Sequence, residues 1–239
     1  MAQSTMNWPL AIERNRDALL RIVAMLFTLA GIDENGASAT LPRHMRNHLL
    51  RMLRPAESAV RRLVVIVARN LEYALPAARS DAPARAGKAR GRNGEAERMP
   101  SFPVIDPMPA IPLGPVRRYS RSFPRITAIG FSEPCPVPDP ALPDDAVDAA
   151  GLCRRMAVLK RVLDDLDAQA RRLARWRARR DLALEALREG RAQGRTIRLS
   201  AMRPGRPPGR RKRPRFEVDR VLEECHALAR HAMACADTS

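Results

Sequence analysis

Apolar positions in the first seventy-five residues recur at helical spacing and predict three helices. The first spans 7–30: Asn7 can cap it, Pro9 lies in its first turn and Gly31 stops it. Its polar positions Arg14, Asp17, Arg21 and Thr28 fall on one narrow stripe, while Ala18 to Ala30 is otherwise almost wholly apolar. That pattern predicts a helix wet on one side and buried on the others. Thr40 and Pro42 open a second helix that runs to Leu53. Pro55 opens a third, because proline is tolerated in a first helical turn. Val60, Leu63, Val64, Val67 and Leu71 form its apolar face. The β-branched run Val64–Val67 would also suit a strand, but the length of the pattern favours helix. Three helices with short connections predict a small bundle.

The periodicity stops at Pro76. Residues 76–143 hold most of the chain's 21 prolines. Proline removes a donor and blocks helix continuation, so this stretch reads as an extended or disordered arm. Ser80–Met99 is low in complexity, and Ser101–Pro115 suits polyproline-like geometry. Arg125–Phe131 is the one strand candidate. Its apolar residues, with Phe102, Val104 and Ile105, predict an arm that packs on a core.

Asp144 and Asp145 then suit the start of a long helix, where acids complement the helix dipole. Leu152, Met156, Leu159, Leu163, Leu166, Ala170 and Leu173 make a heptad seam. Its register meets Arg177 and Arg180, recovers at Leu184 and Leu187, and stops at Gly190 or Gly194. The seam can pack on the N-terminal bundle, the favoured reading, or pair with a second copy. Whether the chain forms a homo-oligomer is left open. A last helix over 216–236 has Val218, Val221, Leu222, Cys225, Leu228, Ala229 and Ala232 on its apolar face. The predicted fold is therefore mainly α, with a helical unit over 1–75, a Pro/Arg-rich arm over 76–143, and helices over 144–239 that pack back on the first unit.

Composition changes the picture through charge. Lys and Arg number 43 against 26 Asp and Glu, a net charge of +17, and only Lys88, Lys160 and Lys212 are lysine. Such a balance points to nucleic acid, an anionic membrane surface or an acidic protein. Aromatic residues make up 4 %, too few for a typical β-rich domain. The apolar run Ile22–Ile32 is too short to span a bilayer, and Glu13 and Asp17 in its leader disfavour a signal peptide. With no transmembrane segment predicted, the expected location is cytoplasmic. Cys135, Cys153, Cys225 and Cys235 form no C-x-x-C pair and are expected as reduced thiols.

The charge comes to a point at Arg203–Arg215, which contains no acid. The candidate contacts are Arg203, Gly205, Arg206, Pro207, Arg210, Arg211, Lys212 and Arg213. Glycine and proline keep a backbone slim, and arginines on a slim strand can enter the narrow A·T minor groove. Gly205-Arg206-Pro207 resembles the core of the AT-hook motif, Arg-Gly-Arg-Pro; Pro204 stands where the first core arginine belongs. The resemblance implies minor-groove DNA binding, and a sequence-indifferent polyanion contact is the alternative. A second basic patch, Arg171, Arg172, Arg175 and Arg179 around Trp176, can clamp phosphates while Trp176 stacks on a base; alternatively Trp176 caps the hydrophobic seam.

His44 and His48 share one helix face without the Glu of a His-Glu-x-x-His site, and no third ligand is near. Cys225, His226, His231 and Cys235 share the last helix but are expected on different faces. No metal, cofactor or catalytic residue is predicted, and the chain reads as a non-enzyme. The segments Trp8–Arg16, Leu53–Arg62 and Arg203–Gly209 look similar to a group of bacterial proteins of GC-rich genomes; this resemblance implies no activity. The leading expectation is DNA or other nucleic-acid binding through the basic stretch. A helical adaptor that binds proteins through the seam is the second, and a peripheral binder of anionic membranes the third.

Overall fold

The computed structural model describes residues 6–32, 40–74, 100–108, 142–191 and 197–236. The protein is mainly α-helical. Among the described residues five helices, α1 (Trp8–Leu29), α2 (Arg43–Val67), α3 (Ala150–Asp164), α4 (Leu166–Arg188) and α5 (Glu217–Ala236), share one core. Two short strands, β1 (Thr40–Pro42) and β2 (Ala146–Asp148), pair antiparallel with Leu41 opposite Val147.

The centre of the fold is α2. Every residue from Ser58 to Ile66 is buried, which requires neighbours on all sides. Helices α1, α3, α4 and α5 provide them. Asn7 caps α1, its side-chain oxygen accepting from the Leu10 N–H at 3.2 Å. The face of α1 that carries Leu19, Ile22, Val23 and Leu26 is buried, but Met25 and Leu29 are exposed. Its wet face is thus wider than the narrow polar stripe predicts.

Three predicted boundaries move, each for a local reason. Thr40 and Pro42 lie in β1 rather than in a helix. The first orphan N–H groups of α2, on Arg43 and His44, donate to the carbonyls of Asp145 and Pro143. Asp144 and Asp145 accordingly belong to the turn before β2, and helix begins only at Ala150. Pro55 opens no third helix; it lies inside the continuous α2. A proline there leaves the carbonyl four residues earlier without its usual donor, and the Arg211 guanidinium donates to that Arg51 carbonyl at 3.4 Å.

The long C-terminal helix is divided. Asp165 leaves helical geometry at φ −132°, ψ 72°, and its side chain caps α4 by accepting from the Ala168 N–H. The seven seam residues from Leu152 to Leu173 are all buried within the chain. Where the register turns basic, the half-buried Arg177 donates to the Ala68 carbonyl at 2.9 Å and closes the C-terminal end of α2. Burial lowers its pKa, with the Arg180 charge adding to the effect.

Residues 100–108 pack on this core without helix or strand. Phe102 and Val104 are buried, and the Asp106 N–H donates to the Ala201 carbonyl at 2.9 Å. The strand candidate Arg125–Phe131 lies outside the described residues, as do Ser80–Met99 and Cys135.

Candidate functional site

The basic stretch is a folded loop rather than a slim extended strand. Gly205 and Gly209 adopt φ of 79° and 83°, the left-handed region that only glycine enters without strain. At Gly209 the side chain is excluded twice over: a Cβ would lie 2.8 Å from the Pro55 nitrogen and 3.0 Å from the carbonyl carbon of Arg54. The loop therefore touches the backbone of α2 at its proline. Pro207 is buried, and its carbonyl accepts from the Arg210 N–H to close a turn.

Buried carboxylates hold both ends. At the start, the Arg203 N–H donates to Asp106 Oδ2 at 3.2 Å. At the end, the N–H groups of Arg215 and Phe216 donate to Asp219 Oδ2 at 2.9 and 3.2 Å. Arg211 lies over the Phe216 ring at 5.2 Å, and Arg210 pairs with Glu223 at 3.0 Å. Arg206, Lys212, Arg213 and Arg215 stand exposed, with no carboxylate partner among the described residues. The sequence-predicted contacts are thus divided: Arg206, Lys212 and Arg213 face solvent, the Arg210 and Arg211 guanidiniums already have protein partners, and Arg203 is held only through its main-chain N–H.

Between the loop and α2 lies a cleft of about 350 Å³, lined by Asn47, Leu50, Arg51, Arg54, Pro55, Gly209 and Arg211. Three arginines and no acid line it. Sequence reasoning missed Asn47, Arg51 and Arg54. Their spacing puts them on one face of α2, but nothing local says that the loop will seat opposite.

Asp106 also anchors the layer beneath. It is almost fully buried, and it accepts from Arg62 at 3.0 and 2.6 Å and from Arg61 at 2.9 Å. Arg62 is wholly buried; it also donates to the Ser58 carbonyl and hydroxyl, and it approaches His226 Nδ1 at 3.4 Å. Burial pushes the Asp106 carboxyl up, but the hydrogen bond and charge of Arg62, the Arg203 N–H and the Arg61 charge outweigh it and hold the pKa below the usual value. Burial, then the Arg62 charge, pushes the His226 pKa down. Both shifts make the unfolded chain bind more protons than the folded one as pH falls. Stability should decline below about pH 6.5 as His226 begins to titrate, and again below about pH 4 as Asp106 does. Denaturant midpoints from about pH 8 down to about pH 2.5 check both declines. A midpoint that rises on acidification contradicts it.

In the second basic patch, Arg171, Arg175 and Arg179 are exposed along α4. Arg172 is tied down, donating to the Phe102 carbonyl at 2.7 Å. Trp176 packs half-buried against the core under the Arg180 guanidinium, so its ring is not a free platform for a base. His44 bonds to the Pro143 carbonyl and Asp144, and His48 meets the edge of Phe216. His231 and Cys235 are brought together at 3.7 Å, against the expectation that the α5 ligand types scatter over different faces; their i, i+4 spacing is the reason. Burial pushes the Cys225 thiol up to about 12. Among the described residues no three His, Cys, Asp or Glu side chains are grouped to hold a metal, and no helix is long and apolar enough to cross a membrane. Compared with known proteins, the chain matches no family model, no curated protein and no solved structure.

Proposed function

We propose that the face formed by the 203–215 loop and the adjoining surface of α2 binds the phosphate backbone of nucleic acid, DNA in the first instance. The observation that carries this reading is the preorganisation of an acid-free loop. It is held at both ends by buried carboxylates and in the middle by the Gly209–Pro55 contact. Binding then costs little loop ordering, and Arg206, Lys212, Arg213 and Arg215 displace counterions from phosphates. Arg51 and Arg54 extend the same positive surface. The turned, packed form of the loop favours backbone contact over insertion of a slim strand into the minor groove. Burial of the heptad seam within the chain favours this face over the adaptor reading.

The test is a titration with A·T-rich and G·C-rich duplexes at several salt concentrations. Six phosphate contacts predict a log K against log salt slope of about −5, with similar affinity for both duplexes. A flat salt response would overturn the reading. A strong A·T preference would favour minor-groove recognition instead.

A further inference from the structure

From the same basic face, we infer that the cleft between α2 and the loop is a seat for a dianionic phosphate monoester, such as a strand's terminal phosphate or a free mononucleotide. This rests on the phosphate-binding reading of that face and adds a site with its own ligand chemistry. Arg51 and Arg54 rise from one side of the cleft and Arg211 from the other, with the Asn47 amide as a further polar group. Neither Arg51 nor Arg54 has a carboxylate partner among the described residues. Arg211 reaches across to the Arg51 carbonyl.

Like charges one helical turn apart repel, so three guanidiniums around one cleft leave an unbalanced charge of +3. An internal phosphodiester brings −1. A monoester brings close to −2 above its second pKa of about 6, with three strong acceptor oxygens for fork-shaped donors. The dianion is the better match. The volume of about 350 Å³ exceeds what a bare phosphate needs and lies in the range of small-ligand sites. Leu50 and Pro55 supply an apolar wall for the attached sugar or base. The close Gly209–Pro55 packing fixes the distance between the two sides.

Fluorescence anisotropy with the full chain tests this, using one single-stranded oligonucleotide with either a 5′-phosphate or a 5′-hydroxyl. At pH 7.5 the phosphorylated strand should bind about tenfold more tightly, and the advantage should shrink at pH 5.5 as the monoester takes up a proton. Arg54→Gln should abolish the advantage. Arg206→Gln, outside the cleft, should weaken both strands alike. Displacement of the phosphorylated strand by excess nucleoside monophosphate assigns the seat to free small ligands; no displacement assigns it to strand ends. Equal affinity for both strands, with no binding of the monophosphate, overturns the inference while leaving the backbone reading intact. If no oligonucleotide binds but the monophosphate does, and Arg54→Gln removes that binding, the backbone reading falls and the seat stands.

Discussion

Replacing Asp106 with Ala should destabilise the protein by about 3–5 kcal/mol, because it strands two buried guanidiniums without their counterion. Arg62 is wholly buried and Arg61 nearly so, so neither reaches water to recover its lost partner without moving α2. The same change removes the acceptor of the Arg203 N–H and frees the start of the basic loop. For a chain of this size the loss corresponds to a drop in Tm of roughly 6–20 °C. Asp106→Asn keeps the shape but not the charge and should lose a large part of the same stability. Thermal melts of both variants decide the matter. A Tm within a degree or two of the parent would mean that the ion cluster does not hold the 100–108 segment to the core.

Gly209→Val should lift the loop from α2. A Cβ there meets backbone atoms, not a flexible side chain, so relief has to come from displacement of the loop. The positive φ adds about 1–2 kcal/mol for a non-glycine residue, and the steric conflict adds about 1–3 kcal/mol. The expected loss is about 2–5 kcal/mol, less if the loop simply detaches. Detachment removes the Arg211 donor from the Arg51 carbonyl and opens the cleft. DNA affinity should therefore fall although no charge has been removed. Urea midpoints and the DNA titration together give the check. Unchanged affinity in a detached-loop variant would show that preorganisation contributes nothing to binding.

The helices were legible in the sequence because 3.6-residue periodicity reports burial directly. The buried faces of α3 and α5 follow from it, whereas α1 exposes Met25 and Leu29 and α2 is buried on every side from Ser58 to Ile66. What remained illegible depends on partners distant in the chain. Pro55 looks the same at a first helical turn as in a helix interior; the deciding donor, Arg211, lies 160 residues beyond the carbonyl it serves. The heptad spacing runs unbroken across Asp165, so the hydrophobic pattern holds no sign of the break, and only the capping potential of that side chain marks it. Nothing in the local pattern marks Arg61 and Arg62 as buried; their counterion, Asp106, lies more than 40 residues further along the chain. The basic loop was visible as composition. Its cleft was not, because Asn47, Arg51 and Arg54 acquire meaning only from what packs opposite them.

The most direct measurement compares the salt dependence of DNA binding for the parent chain and a variant with Arg206, Lys212, Arg213 and Arg215 all changed to Gln. These side chains are exposed and have no carboxylate partners among the described residues, so Tm should be nearly unchanged. Each lost phosphate contact removes about 0.9 from the slope, so the slope should shrink from about −5 to between about −1 and −2. A variant that keeps both the parent's affinity and its slope would contradict the assignment of this loop as the polyanion-binding surface.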